Sequence, residues 1–229
     1  ARTRARLDAL AVRAKLHERL EKYISESSPR YYSMATAGGN VFAKYFDPAQ
    51  QQPSLRVLGP ELDPAKARTV LDPNTLDRGG ATAIDWYVPS ADGRRVAVSL
   101  SKGGSEDGSL HVFDTATGRP IDAVIPGVNF PTAGGDVAWA PDGHGFWYTR
   151  YPGPERPEAD RRFYVQVYFH AIGSDPARDA RVFGDGLPKV AEIQLDYSKE
   201  ADALLVSVQD GDGGEFAHYV SKPGGGFVQ

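Results

Sequence analysis

"SADGRRVAVSLS" (residues 90–101) and "APDGHGFWYTRY" (140–151) carry Asp-Gly at 92–93 and 142–143, an offset of 50, each followed by a short β-rich run. "YSKEADALLVSV" (197–208) repeats the frame about 56 positions later, with Lys199-Glu200 in place of Asp-Gly. The stretches that follow also correspond loosely: "GSLHVFDTATGRPI", "YVQVYFHAIGSDPARDARVF" and "EFAHYVSKPGGGF". Each unit reads strand, tight turn, strand, variable loop, strand, turn, strand. Short strands alone fit sandwiches, barrels and propellers about equally well, but a four-stranded unit recurring every ~40–50 residues is the signature of a propeller blade. The expected fold is all-β, a β-propeller of four-stranded antiparallel blades. About three to four blades are present, preceded by one N-terminal α-helix.

The Asp-Gly pairs need no chemistry to explain them. A tight hairpin requires positive φ, which glycine adopts without a Cβ penalty and aspartate tolerates. Gly118 in "TATGRP" (115–120) sits where a hairpin loop places its bulge. Between such turns the β-rich runs predict strands at 40–46, 55–58, 69–71, 82–88, 95–101 and 109–114. Further strands are predicted at 135–139, 145–151, 164–171, 180–183, 193–197, 203–209 and 216–221. Upstream, Leu7, Leu10, Ala14, His17, Leu20 and Ile24 recur at steps of three and four before Ser27-Ser28-Pro29, which predicts one amphipathic helix over 3–25. Its apolar stripe has to pack on something. The division that follows is a helix and linker over 1–28 and a propeller domain over 29–229.

With 229 residues, 41% hydrophobic and 24% charged, the composition is that of a globular chain. A formal net charge of -4 gives no global attraction to nucleic acid or anionic lipid, and no apolar run approaches the length of a membrane span. The basic N-terminus has no apolar core of the kind a signal peptide carries. The absence of cysteine excludes disulfides and thiolate metal sites and favours the cytoplasm, with the periplasm as the alternative.

Tests for reactive sites mostly return scaffold. Gly103-Gly104-Ser105-Glu106-Asp107 approaches the G-x-S-x-G nucleophile elbow but ends in aspartate and joins two strands, so it reads as a blade loop. His17, His111, His144, His170 and His218 show no H-E-x-x-H or H-x-H spacing. His111, His170 and His218 fall at comparable places in successive blades, which suggests packing or surface positions. Asp210 and Asp212 in "QDGDGGE" resemble half of a calcium loop but lack its third ligand, and the absence of G-x-x-x-x-G-K-[ST] excludes a P-loop. Asp8, Asp63, Asp72, Asp77 and Asp85 allow a carboxylate pair without supporting one. No metal or cofactor is expected.

Residues 70–121, "VLDPNTLDRGGATAIDWYVPSADGRRVAVSLSKGGSEDGSLHVFDTATGRPI", resemble the propeller of the prolyl oligopeptidase family of serine peptidases, and Leu71-Asp72-Pro73-Asn74 is the strongest motif. "FPTAGGDVAWAPDGHGFWYTRYP" continues the likeness, which covers roughly residues 15–225. The resemblance implies a seven-bladed propeller that admits peptides and excludes folded proteins. It also implies an α/β-hydrolase partner domain, beyond Gln229, that carries the Ser, Asp and His and cleaves after proline. No catalytic residue transfers to this chain. One substrate contact does: Phe130 matches the family's propeller phenylalanine that lines the substrate side-chain pocket, with a buried blade phenylalanine as the alternative. Two other classes remain open: a free-standing propeller binding a protein or carbohydrate partner, and a small hydrolase acting through paired carboxylates such as Asp72, Asp85, Asp136 or Asp142.

Overall fold

In the computed structural model, which describes residues 2–129 and 135–229, the repeat folds into antiparallel four-stranded sheets, each built from strands consecutive in sequence. Blade 1 contains β1 (Arg30–Ala37), β2 (Asn40–Phe46), β3 (Ser54–Leu58) and β4 (Arg68–Leu71). Blade 2 contains β5 (Thr82–Pro89), β6 (Arg95–Lys102), β7 (Ser109–Asp114) and β8 (Ile125–Pro126). Blade 3 contains β9 (Val137–Trp139), β10 (Gly145–Arg150), β11 (Gln166–Ala171) and β12 (Ala180–Phe183). Blade 4 contains β13 (Ala191–Ser198), β14 (Ala203–Asp210), β15 (Phe216–Ser221) and β16 (Phe227–Val228). First strands of successive blades lie beside one another, β1 by β5 and β9 by β13, as the inner strands of a propeller do.

The period-2 alternation of each strand assigns its side chains to one neighbouring blade or the other. In β6, Val96, Val98 and Leu100 pack with Phe42, Leu55 and Val57 of blade 1, whereas Ala97 joins the opposite seam with Leu110, Val137, Trp139 and Phe146. In β10, Phe146 and Tyr148 face blade 2, and Trp147 turns to the seam with blade 4, where it stacks on Tyr197 at 5.5 Å between ring centroids. Ile193, Leu204, Val206 and Val208 complete that seam against Val165 and Val167. The core is therefore a series of sheet-on-sheet layers. Each fully buried Val, Leu or Phe contributes about 1.5–3 kcal/mol, so these seams outweigh the polar contacts between blades, which contribute about 1 kcal/mol each.

The turns form as the sequence demands. Gly93 and Gly143 take φ of 69° and 68°, and the Asp92 and Asp142 carboxylates accept the backbone N–H groups of Arg94 and His144 at 3.0 and 2.9 Å. In blade 4, where Asp-Gly is missing, Asp202 takes the positive φ instead, at 45°. A Cβ on Gly93 would lie 2.7 Å from the Ala37 carbonyl oxygen of the neighbouring hairpin. Gly93→Ala is accordingly expected to lower stability by about 1–3 kcal/mol in a denaturant titration, and a loss below about 0.5 kcal/mol would mean the turn relaxes freely.

The Leu71-Asp72-Pro73-Asn74 motif is a connector between blades. Asp72 caps the short helix α3 (Pro73–Leu76) by accepting the Asn74 N–H at 3.0 Å. The Asn74 amide then pairs in both directions with the backbone of Gln52 in the β2–β3 loop, at 2.8 and 2.9 Å.

The N-terminal expectation needs correction. Two helices form, α1 (Arg2–Asp8) and α2 (Arg13–Ser25), in place of one over 3–25. The chain turns between them through Leu10 N–H to Leu7 O and Arg13 N–H to Leu10 O, fixed by Arg13 Nε at 2.7 Å from Asp8 Oδ1. Neither helix buries a residue, and Leu16, Leu20, Tyr23 and Ile24 remain exposed. The stripe does not pack on the blades. The helix α2 spans 13 residues, and no helix among the described residues is long and apolar enough to cross a membrane.

Candidate functional site

Inner strands from three blades converge on a cleft of about 530 Å³ lined by Trp86, Tyr87, Val88, Gly135, Asp136, Ile193 to Asp196, Leu205 and Ser207. Its walls are fastened by side chains that reach across the seams. Trp86 Nε1 donates to the Asn129 carbonyl at 2.8 Å, and Trp139 Nε1 donates to the Val88 carbonyl at 3.0 Å. Lys44, pointing out of blade 1, donates to the carbonyls of Ile84 and Asp85 at 2.9 and 2.8 Å, and burial pushes its ammonium below the usual lysine range. The Tyr87 hydroxyl contacts the carbonyls of Ser33 and Phe42 in blade 1.

Asp136 lines this cleft and Asp85 lies beside it, in an adjoining pocket with Lys44 and Trp86, and burial raises both above the ordinary range. Asp85 is held by the hydroxyls of Ser99 and Ser101 at 3.1 and 2.6 Å. Asp136 accepts the Leu195 N–H of blade 4 at 2.7 Å and the Val137 N–H at 2.8 Å. Burial outweighs those two donors and pushes Asp136 up to about 6.

Phe130 lies outside the described residues. Asn129 and Gly135, the described residues on either side of it, lie against one another beside the cleft: a Cβ on Gly135 would come within 1.7 Å of the Asn129 carbonyl oxygen. That close approach is why position 135 requires glycine.

The other sequence candidates are dispersed. Ser105 is exposed in the β6–β7 loop, where its Oγ accepts the Asp107 N–H at 3.3 Å. His17 is exposed on α2, His144 is exposed at the β9–β10 hairpin tip, and His218 pairs with Ser207 Oγ at 2.9 Å. His111 lies on β7, where burial lowers its imidazole below the usual range. His170 is fully buried between Asp122 and Asp179. Asp8 pairs with Arg4 and Arg13, while Asp63, Asp72, Asp77 and Asp142 accept backbone N–H groups in turns or caps. Asp210 and Asp212 flank the turn glycine Gly211 after β14, whose φ is 51°. No group of three or more His, Cys, Asp or Glu among the described residues could hold a metal ion.

Sequence reasoning names Asp85 and Asp136 only as carboxylates that could pair, and it misses Lys44 as a tie between blades. Lys44 in "NVFAKYF" is visible as a charge inside an apolar strand, which is the signal that could have found it. Its partners could not be read, because they come from another blade.

Consecutive four-stranded meanders packed face to face, with inner strands sharing one cleft, define a β-propeller. Residues 1–223 match the family described as "Prolyl oligopeptidase, N-terminal beta-propeller domain". The chain belongs to the prolyl oligopeptidase family, and these residues are its N-terminal propeller portion. Prolyl oligopeptidase A of Galerina marginata is 26% identical over 153 residues, covering 60% of this chain and 20% of that protein. A solved prolyl endopeptidase superimposes with a TM-score of 0.80 at 23% identity, over 96% of this chain and 32% of that one. Prolyl oligopeptidase B from Galerina marginata, solved with a 25mer macrocyclization substrate bound, gives a TM-score of 0.78 at 20% identity over 98% of this chain and 34% of that one. The chain thus spans about a fifth to a third of these relatives' length.

Proposed function

We propose that this chain is the access-controlling part of a serine peptidase that cleaves short peptides after proline, with cleavage performed by an α/β-hydrolase domain of the same protein. The family match over residues 1–223 carries this reading. The free face of the last blade supports it. Phe216, Val220 and Val228 of blade 4 are exposed, which is the surface a further blade would cover. The exposed stripe of α2 is a second surface suited to a neighbouring domain. In this reading Phe130 contacts the substrate side chain, and the protein works in a reducing compartment such as the cytoplasm.

The purified 229-residue chain is expected to show no cleavage of a proline-linked chromogenic peptide, whereas the same residues in a chain extended by an α/β-hydrolase domain cleave it. Hydrolysis by the 229 residues alone, abolished by Ser105→Ala, would overturn the reading.

A further inference from the structure

His170 lies on the third strand of blade 3, and its side chain is completely shielded from solvent, as are those of Asp122 and Asp179 to within 2%. Its Nδ1 is 2.9 and 3.0 Å from the two carboxylate oxygens of Asp179, and its Nε2 is 3.0 Å from Asp122 Oδ2. A neutral imidazole has one N–H and one lone pair, so between two carboxylates it would press a lone pair against an anionic oxygen in a dry seam. Only the imidazolium donates from both nitrogens. The carboxylates have further donors: the Tyr148 hydroxyl to Asp179 at 2.8 Å and the Gly173 N–H to Asp122 at 3.2 Å.

Charged and titratable groups around the ring come from every adjoining element. They are Asp122 from the β7–β8 strap, Asp179 from the residues before β12, Tyr148 and Arg150 from β10, and Tyr168 from β11. Arg150 is held over the Tyr168 ring at 4.0 Å and donates to the Pro176 carbonyl at 3.4 Å. The carboxylates lie against opposite edges of the ring, each turned to its own nitrogen, so they do not share a point where an ion could sit.

Asp122 belongs to blade 2, whereas His170, Asp179 and Tyr148 belong to blade 3. We propose that the His170 imidazolium is a proton-held clasp that fastens the β7–β8 strap of blade 2 onto blade 3. Loss of that single proton leaves the ring bonded to one carboxylate and releases the other. Asp179, gripped through both oxygens and by Tyr148, is the one retained, so Asp122 keeps only the Gly173 N–H of blade 3 and its strap loosens. The inner strands stay joined through Trp86 and Trp139, which confines the opening to the strap.

Nitrogen-15 NMR of the histidine rings, combined with amide hydrogen exchange at Gly173, tests the clasp in the 229-residue chain. Both ring nitrogens of His170 are expected to carry protons at neutral pH. Asp122→Ala is expected to speed Gly173 exchange by about tenfold or more while leaving Leu195 in the next seam unchanged. An unprotonated ring nitrogen at neutral pH, or an Asp122→Ala chain whose Gly173 exchanges as slowly as the wild type's, would overturn the proposal. Should Asp122→Ala prevent folding, the ring spectrum of the wild-type chain decides alone.

Discussion

Phe146→Ala is expected to remove about 3–5 kcal/mol of stability, a large share of the roughly 5–15 kcal/mol that holds a domain together. Phe146 has no solvent exposure, and its ring meets Trp139 at 5.2 Å, Tyr148 at 5.8 Å and His170 at 5.3 Å between centroids. Truncation removes contacts between blades 2 and 3 and leaves a cavity between two packed sheets, which collapse only partly to fill it. The adjacent residue makes the control. Trp147 points to the other seam and is only partly buried, so Trp147→Ala should cost less despite deleting a larger side chain. Urea titrations of the two variants decide the matter: a loss below about 1 kcal/mol for Phe146→Ala, or the reverse ranking, would show that the seams are not packed as described.

The second large effect is a dependence on pH at Asp136. Its carboxyl is raised from 3.8 to about 6 because burial disfavours the ionised form. The folded chain therefore holds this proton more tightly than the unfolded one. The stability it contributes is full below pH 3.8 and is lost as pH rises through about 6. At about 1.4 kcal/mol per pH unit, the change is on the order of 3 kcal/mol. Asp136→Asn cannot titrate. It can accept only one of the Leu195 and Val137 N–H groups that the carboxylate accepts together, a cost that does not vary with pH. The stability of the wild type relative to Asp136→Asn should thus fall by that amount between acidic and neutral pH in parallel melts. A difference that stays constant across this range would place the raised carboxyl elsewhere.

The sequence made the blades legible where alternation and turn chemistry agree. β2, β7, β12 and β15 begin and end where the pattern predicts, because apolar and polar residues alternate between recognisable turn residues. β1 was not predicted, since "RYYSMATA" is exposed or only partly buried along its whole length, with no apolar face to announce it. β8 and β16 have two residues each, too few to show any period. The helix expectation failed in the opposite way: the spacing of Leu7 and Leu10 continues across the break, and α2 begins at Arg13 after Val12, which supplies no capping side chain.

The candidate site was less legible for a related reason. Asp85, Asp136 and Lys44 acquire their roles from partners in neighbouring blades, and Asp122 reaches His170 from 48 residues away. Sequence spacing within one blade says nothing about register across a seam. The histidines illustrate this: His111, His170 and His218 all lie on third strands, yet one is half-buried, one fully buried and one exposed. Phe130 is singled out by family resemblance alone, and it lies outside the described residues.

The proposed role of these blades is to restrict what reaches a catalytic domain of the same protein. Its most direct test is to join residues 1–229 to an α/β-hydrolase domain of this family and compare two substrates bearing the same proline site, one a short peptide and the other a folded protein with that site exposed. The account predicts cleavage of the peptide and none of the folded protein. Equal cleavage of both would contradict it.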